Sequence, residues 1–159
     1  MDKKVTFICT GNTCRSCMAE GIFRAALQGN SQLSTFSTTS RGIFAYDGDV
    51  ASPHSVNVLK ELWGIDISLH SSKMLHEEDI ISSYLILTMT RHHRDSLKNH
   101  FQEYSDRIFT LKEYAYGYSD KDAAKLDITD PYGMPYNDYE KCANEIYNCV
   151  EALIDRLKK

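Results

Sequence analysis

The short apolar run Val5-Thr6-Phe7-Ile8 breaks directly into Cys9-Thr10-Gly11-Asn12-Thr13-Cys14-Arg15-Ser16, and a segment with helical character follows without a gap. A strand that becomes a helix over so few residues has one compact solution, a tight loop at the strand's C-terminal end. Gly11 supplies backbone freedom for the curl, and Asn12 tolerates the left-handed conformation such a loop needs. The strand must be buried in a sheet and the helix must pack on it, so the chain is drawn into the α/β class.

The same eight residues carry chemistry. Helix N-termini present unpaired N–H groups and partial positive charge, and consecutive turn amides form a similar anion-binding nest. Five residues separate Cys9 from Arg15, so the amides of Thr10, Gly11, Asn12, Thr13 and Cys14 can surround one tetrahedral anion. Arg15 closes the ring, since its planar fork holds two oxygens of a phosphoryl group at once. One axial approach to phosphorus remains, and Cys9 stands at it, where amides and Arg15 favour the thiolate. Ser16 is placed to donate a hydroxyl hydrogen bond to that sulfur. The competing reading is a Cys and an Arg packed on a turn for structural reasons. The apolar strand, Gly-Asn turn, Ser after the Arg and following helix occur together, which favours catalysis.

Such chemistry needs a proton donor, and the loop has none. Downstream, Asp130-Pro131-Tyr132-Gly133 places an Asp before a Pro that holds the chain in an extended turn, with an aromatic next. Alone, Asp-Pro is an ordinary turn initiator. Beside the loop, Asp130 becomes the candidate that protonates a leaving group and later takes a proton from water. Tyr132 becomes a candidate wall for the substrate.

These residues resemble the low-molecular-weight protein tyrosine phosphatases, cytoplasmic cysteine phosphatases, over nearly the whole chain. The matches are residues 9–16, Met18-Ala19-Glu20, Ser40-Arg41-Gly42, Ser52-Pro53-His54 and the Asp-Pro-aromatic motif at 130–132. The resemblance implies Cys9 as nucleophile, Arg15 as phosphate clamp, Ser16 as thiolate partner and Asp130 as general acid. Asn12 and Ser40 would hold the loop in shape. It also implies a phosphocysteine intermediate, no cofactor or metal, phosphorylated proteins as substrates and inorganic phosphate as product. Within the family, the chain is similar to the bacterial protein-arginine phosphatases in Thr13, in Phe109-Thr110-Leu111-Lys112-Glu113-Tyr114 and in Gly133. A phosphoguanidinium is charged and forked, and suits a small hydroxyl-bearing wall better than a phosphotyrosine ring does. Tyr132 is instead the tyrosine-phosphatase choice. Two positions depart from the family pattern: Cys17 replaces a Pro, and Leu69 stands where a loop-supporting His is expected, with His70 next. Support then comes from His70 by a small register change, or is absent.

Chain-wide properties fit this picture. The alternation of strand and helix signals predicts an α/β fold with residues 1–159 as one domain. It is a three-layer arrangement, a central four-stranded parallel sheet flanked by helices with the phosphate-binding loop after the first strand. Strands are expected at Val5–Cys9, Leu33–Thr39, Tyr84–Met89 and Ile108–Leu111. Helices are expected at Ser16–Leu27, Pro53–Trp63, Arg91–Phe101 and Asp138–Leu157. Ligands of open α/β sheets sit beyond the strands' C-terminal ends. The rim would come from Phe44–Asp49 and the acid loop, with Tyr46, Tyr132 and Tyr136 as its aromatics. Arg91-His92-His93-Arg94 reads as a solvated helix start. A formal charge of −4 and the lack of a basic block argue against nucleic acid. No apolar run is long enough for a signal peptide or a membrane span, so a cytoplasmic location is expected.

Five cysteines in no framework spacing argue against a disulfide scaffold. Cys142 and Cys149 fall on an apolar helical stripe. Cys14-x-x-Cys17 lacks the second pair that a zinc site needs. Cys9 and Cys14 share one loop, which suits capture of an oxidised Cys9 as a disulfide. An arsenate reductase on the same scaffold would need further cysteines near the site, and none occurs between Cys17 and Cys142. A non-catalytic phosphate-binding module would not need Cys9, Arg15 and Asp130 together.

Overall fold

The computed structural model describes residues 2–159, built around an all-parallel sheet of order β2-β1-β3-β4. The strands are β1 (Lys3–Cys9), β2 (Phe36–Gly42), β3 (Leu85–Thr88) and β4 (Ile108–Thr110). Helices are α1 (Arg15–Gln28), α2 (Pro53–Trp63), α3 (Glu77–Ser82), α4 (Arg91–His100), α5 (Leu111–Tyr116) and α6 (Tyr136–Leu157). Both faces of the sheet are covered, which is why Val5 to Cys9 are all buried rather than alternately buried and exposed. Side chains of a strand alternate between faces. Val5, Phe7 and Cys9 therefore join one core with Met18, Phe23, Ile146 and Val150 of α1 and α6, and Phe7 meets Phe23 edge to face at 5.7 Å. Ile8 joins the other core with Ile80, Ile86, Leu97 and Ile108, beneath α3 and α4.

The four strands and four long helices fall where the sequence predicts them, with shifted ends. Strand β2 begins at Phe36 instead of Leu33, because Ser31–Leu33 forms a 3-10 turn in which the Asn30 side chain accepts from the Gln32 N–H. That turn drops Leu33 into the core at 1% exposure. The fourth strand stops at Thr110, and α5 starts there. Thr110 and Glu113 form a reciprocal capping box, and Gly117 closes the helix in the left-handed region at φ 74°. Both α5 and α3 escape prediction for one reason: each has six residues and buries a single side chain, Leu111 or Ile80, so there is no period to read.

The carboxyl ends of β1, β3 and β4 set the position of the site. Cys9 ends β1. Just beyond β3, the Met89 carbonyl accepts from the Ile128 N–H at 2.9 Å, which lays the segment carrying Asp130 across the same edge. Among the described residues, no helix is long and apolar enough to cross a membrane.

Candidate active site

The loop between β1 and α1 is shaped from outside. Its carbonyls turn away from the centre: Cys9 O accepts from the Ile43 N–H, Thr10 O from Phe44, Thr13 O from Ser52 and Cys14 O from Met18, all at 2.9–3.0 Å. The Asn12 carbonyl accepts from the Ser72 hydroxyl at 2.8 Å and pairs with His70 Nε2 at 2.7 Å. Among the described residues, the N–H groups of Gly11, Thr13, Cys14 and Arg15 donate to no backbone carbonyl. They are the ready donors for an anion. Asn12 has φ 60°, the left-handed conformation expected of it. Gly42 at the end of β2 is demanded by this packing, since a Cβ there would lie 2.5 Å from the Thr10 carbonyl oxygen.

Inside the loop, hydrogen-bond direction follows from donor counting. The Ser40 hydroxyl donates to the Glu20 carboxylate at 2.5 Å, leaving its oxygen to accept from Asn12 Nδ2 at 2.9 Å. The second Asn12 amide proton goes to Ser16 Oγ at 2.7 Å, while Asn12 Oδ1 accepts from the Lys73 N–H at 3.0 Å and so fixes the amide's orientation. Ser16 therefore has its own proton free for Cys9 Sγ, 2.9 Å away, and the Asn12 N–H reaches the same sulfur at 3.3 Å. The chain Glu20, Ser40, Asn12, Ser16 is polarised by one buried-side carboxylate and ends by presenting two donors to sulfur. Asn12, Ser16 and Ser40 are all at most 2% exposed, so water does not compete for these bonds.

Arg15, buried at the first position of α1, donates to the Ile128 carbonyl at 2.9 Å and pairs with Asp130 Oδ2 at 3.4 Å. Asp130 Oδ1 accepts from the Tyr132 N–H at 3.1 Å, and its carboxylate is half exposed. The acid segment is anchored behind it: Asp127 takes the backbone and guanidinium N–H groups of Arg91, and Lys112 Nζ donates to Asp127 O. Loop and acid segment share a cleft of about 530 Å³ whose walls include Thr13, Phe44, Tyr46, Asp49 and Tyr132. Thr10, Gly11 and Cys14 line it as well.

Three sequence expectations change or resolve here. Arg91-His92-His93-Arg94 is not simply a solvated helix start. His93 is 6% exposed and spans Thr90 Oγ1 at 3.0 Å and Thr10 Oγ1 at 2.9 Å, so it touches the loop. Burial, aided by Arg15 and His92, pushes its pKa down to about 4, which keeps it uncharged beside Arg15. Arg94 is buried too, paired with Asp95, Glu113 and Asp120. Tyr136 is not on the rim: it opens α6 and donates to Glu61 at 2.6 Å. The question of loop support resolves in favour of His70, while Leu69 is 95% exposed.

Cys17, in place of a proline, is buried and its thiol donates to the Cys14 carbonyl at 3.2 Å. Burial pushes that thiol's pKa well up, so it stays protonated. Cys142 and Cys149 are core thiols, pushed up by burial to about 12 and about 11. Cys14 Sγ sits 3.4 Å from Ser52 Oγ and 3.5 Å from the Tyr139 hydroxyl. Among the described residues, no three His, Cys, Asp or Glu side chains converge as metal ligands. A phosphoryl group would be held here by amides and one arginine over a sulfur, with a carboxylate at hand.

Comparison with known proteins bears on this geometry. Residues 4–159 match the family model described as low molecular weight phosphotyrosine protein phosphatase. A protein-arginine-phosphatase of Geobacillus stearothermophilus is 41% identical over 158 residues, covering 99% of this chain and 98% of that protein. The crystal structure of a low molecular weight protein tyrosine phosphatase from T. tengcongensis superposes with TM-score 0.87 at 44% identity, covering 98% of this chain and 99% of that one. A YwlE arginine phosphatase variant with a phosphorylated active-site serine superposes with TM-score 0.88 at 34% identity, over 98% and 96% of the two chains.

Proposed function

The chain belongs to the low molecular weight phosphotyrosine protein phosphatase family and is a protein phosphatase, and from that premise we propose that it removes phosphate from arginine in proteins through a phosphocysteine on Cys9. The observation that carries the mechanism is the donor chain from Glu20 to Ser16, which ends on Cys9 Sγ. Two hydrogen bonds converge on the sulfur, from the Ser16 hydroxyl and the Asn12 N–H, and hold the nucleophile in place. The phosphoryl oxygens take the free loop amides and the Arg15 guanidinium. A dianion engaging Arg15 competes with the Arg15–Asp130 pair and lets Asp130 carry a proton. Sγ then attacks phosphorus, the P–N bond breaks, and the Asp130 proton goes to the departing guanidine nitrogen. In the second step water attacks the phosphocysteine, Asp130 takes the water proton, and the thiolate leaves with help from Ser16. Thr10, Gly11, Thr13 and Cys14 bind the phosphoryl group, Asn12 gives its N–H to the sulfur instead, Tyr132 walls the substrate, and Ser40 keeps the loop in shape.

Thr13 supports arginine as the substrate residue. It lines the cleft, and its carbonyl is tied to the Ser52 N–H, which fixes its backbone at the wall. The second reading, phosphotyrosine, is favoured by Phe44, Tyr46 and Tyr132, which are 73%, 79% and 71% exposed at the cleft and would suit an apolar ring. Comparing kcat/KM on phosphoarginine and phosphotyrosine peptides for wild type and Thr13→Ile separates them. The variant exchanges a hydroxyl for apolar bulk, and the ratio is expected to shift toward phosphotyrosine by about tenfold or more. An unchanged ratio would remove Thr13 as the selector.

The reading extends to oxidation and location. Peroxide converts the Cys9 thiolate to sulfenic acid; the Cys14 thiol attacks that sulfur, an S–S bond forms and water leaves. Wild type is expected to recover with dithiothreitol after peroxide, whereas Cys14→Ala is expected to lose activity irreversibly. Full recovery of that variant would show that Cys14 is not the protector. A cytoplasmic setting suits five cysteines that are all free thiols.

A further inference from the structure

The cleft contains one charged side chain that the mechanism leaves unused. Apart from Arg15 and Asp130, the only carboxylate or cationic wall residue among the described residues is Asp49. The backbone of Asp49 is fixed: its N–H donates to the Tyr46 carbonyl at 3.2 Å, and its carbonyl accepts from the Ser72 N–H at 2.8 Å. Gly48, at φ 94°, makes the turn before it and donates to the Ser72 carbonyl at 2.9 Å. Ser72 is the residue whose hydroxyl supports the Asn12 carbonyl. The position of Asp49 is thus tied to the phosphate loop through a single residue. Among the described residues, its carboxylate makes no ion pair or hydrogen bond, unlike Asp47, whose Oδ1 accepts from the Met74 N–H at 2.8 Å.

A free carboxylate beside a site for a phosphoryl dianion repels the ligand unless the substrate brings a cation of its own. Phosphotyrosine brings an uncharged ring. Phosphoarginine brings a guanidinium bonded directly to the phosphoryl group, with N–H donors that a carboxylate accepts. Asp130 is committed to proton transfer, and so carries no lasting negative charge to the substrate's cation. Resting on the phosphoarginine reading, we infer that Asp49 is a specificity-determining residue that accepts from the substrate's guanidinium and disfavours substrates whose phosphate hangs on a neutral group. It acts by adding attraction for one substrate and repulsion for the other, so both arms contribute to the ratio of rates.

The test uses the full chain with Asp49→Asn, which keeps size and removes charge, and Asp47→Asn as the control for a general change in surface field. With phosphoarginine and phosphotyrosine peptides of one sequence, Asp49→Asn is expected to lower the kcat/KM ratio about tenfold, chiefly through KM. Raising salt should lower the wild-type ratio more than that of Asp49→Asn, because only the wild type carries the charge at position 49. Asp47→Asn should keep the wild-type ratio. A wild type that favours phosphoarginine, with an unchanged ratio in Asp49→Asn or an equal fall in Asp47→Asn, would overturn this inference alone. A wild type that favours phosphotyrosine would overturn the phosphoarginine reading and this inference with it.

Discussion

Cys9→Ser is expected to lower kcat on phosphoarginine and phosphotyrosine substrates alike by roughly four to six orders of magnitude, with phosphate still bound. The loop's carbonyl contacts, the Arg15 position and the free amides do not depend on the sulfur, so the anion site survives the change. What disappears is the sulfur proposed to attack phosphorus. A serine oxygen at the end of the Ser16 and Asn12 donors remains a neutral hydroxyl, and no base stands beside it to take its proton. Isothermal titration with inorganic phosphate, next to a turnover assay, reads both halves of the expectation. Activity within tenfold of wild type would mean that another group attacks phosphorus.

Asp130→Asn gives the second large effect, and its size depends on the leaving group. The variant keeps an oxygen to accept from the Tyr132 N–H, loses the ion pair with Arg15, and has no proton to give. In single-turnover release, phosphoarginine cleavage is expected to slow by about two to four orders of magnitude. A phenol ionises near pH ~10 and a guanidinium only above ~12, so the guanidine is the stronger base and leaves less readily without a proton. The drop with p-nitrophenyl phosphate, whose leaving group needs no proton, is expected to be smaller. Equal drops for the two substrates would assign Asp130 a role in binding instead of proton transfer.

Local context explains which parts of this site could be read from the chain. Cys9, Arg15 and Ser16 stand in a strand-loop-helix whose neighbours all agree, and Asp130 gains meaning from them. Asn12 and Ser40 came from the family resemblance, and the structure joins them at 2.9 Å. His93 could not be read, because its burial depends on the start of α4 meeting the loop across 83 residues of sequence. The polar run around it resembles any solvated helix start. Arg94 was hidden in the same way by partners on α5 and the following loop. Glu20 carried a signal that went unused: it lies four residues after Ser16 on α1, on the same helical face, where it closes the network through Ser40. Tyr136 misled because an aromatic near the acid loop reads as rim until α6 is seen to begin there and turn it toward Glu61.

The central claim is that Cys9 receives the phosphoryl group from arginine. Rapid acid quench of Asp130→Asn mixed with a phosphoarginine peptide, followed by peptide mapping under conditions that preserve S–P bonds, tests it directly. The variant slows both formation and hydrolysis of the intermediate, so sampling spans the slowed turnover, and the phosphoryl group is expected on Cys9, with dephosphorylated arginine in the peptide, before free phosphate appears. Free phosphate appearing with no phosphoryl group on Cys9 at any time point would contradict the account.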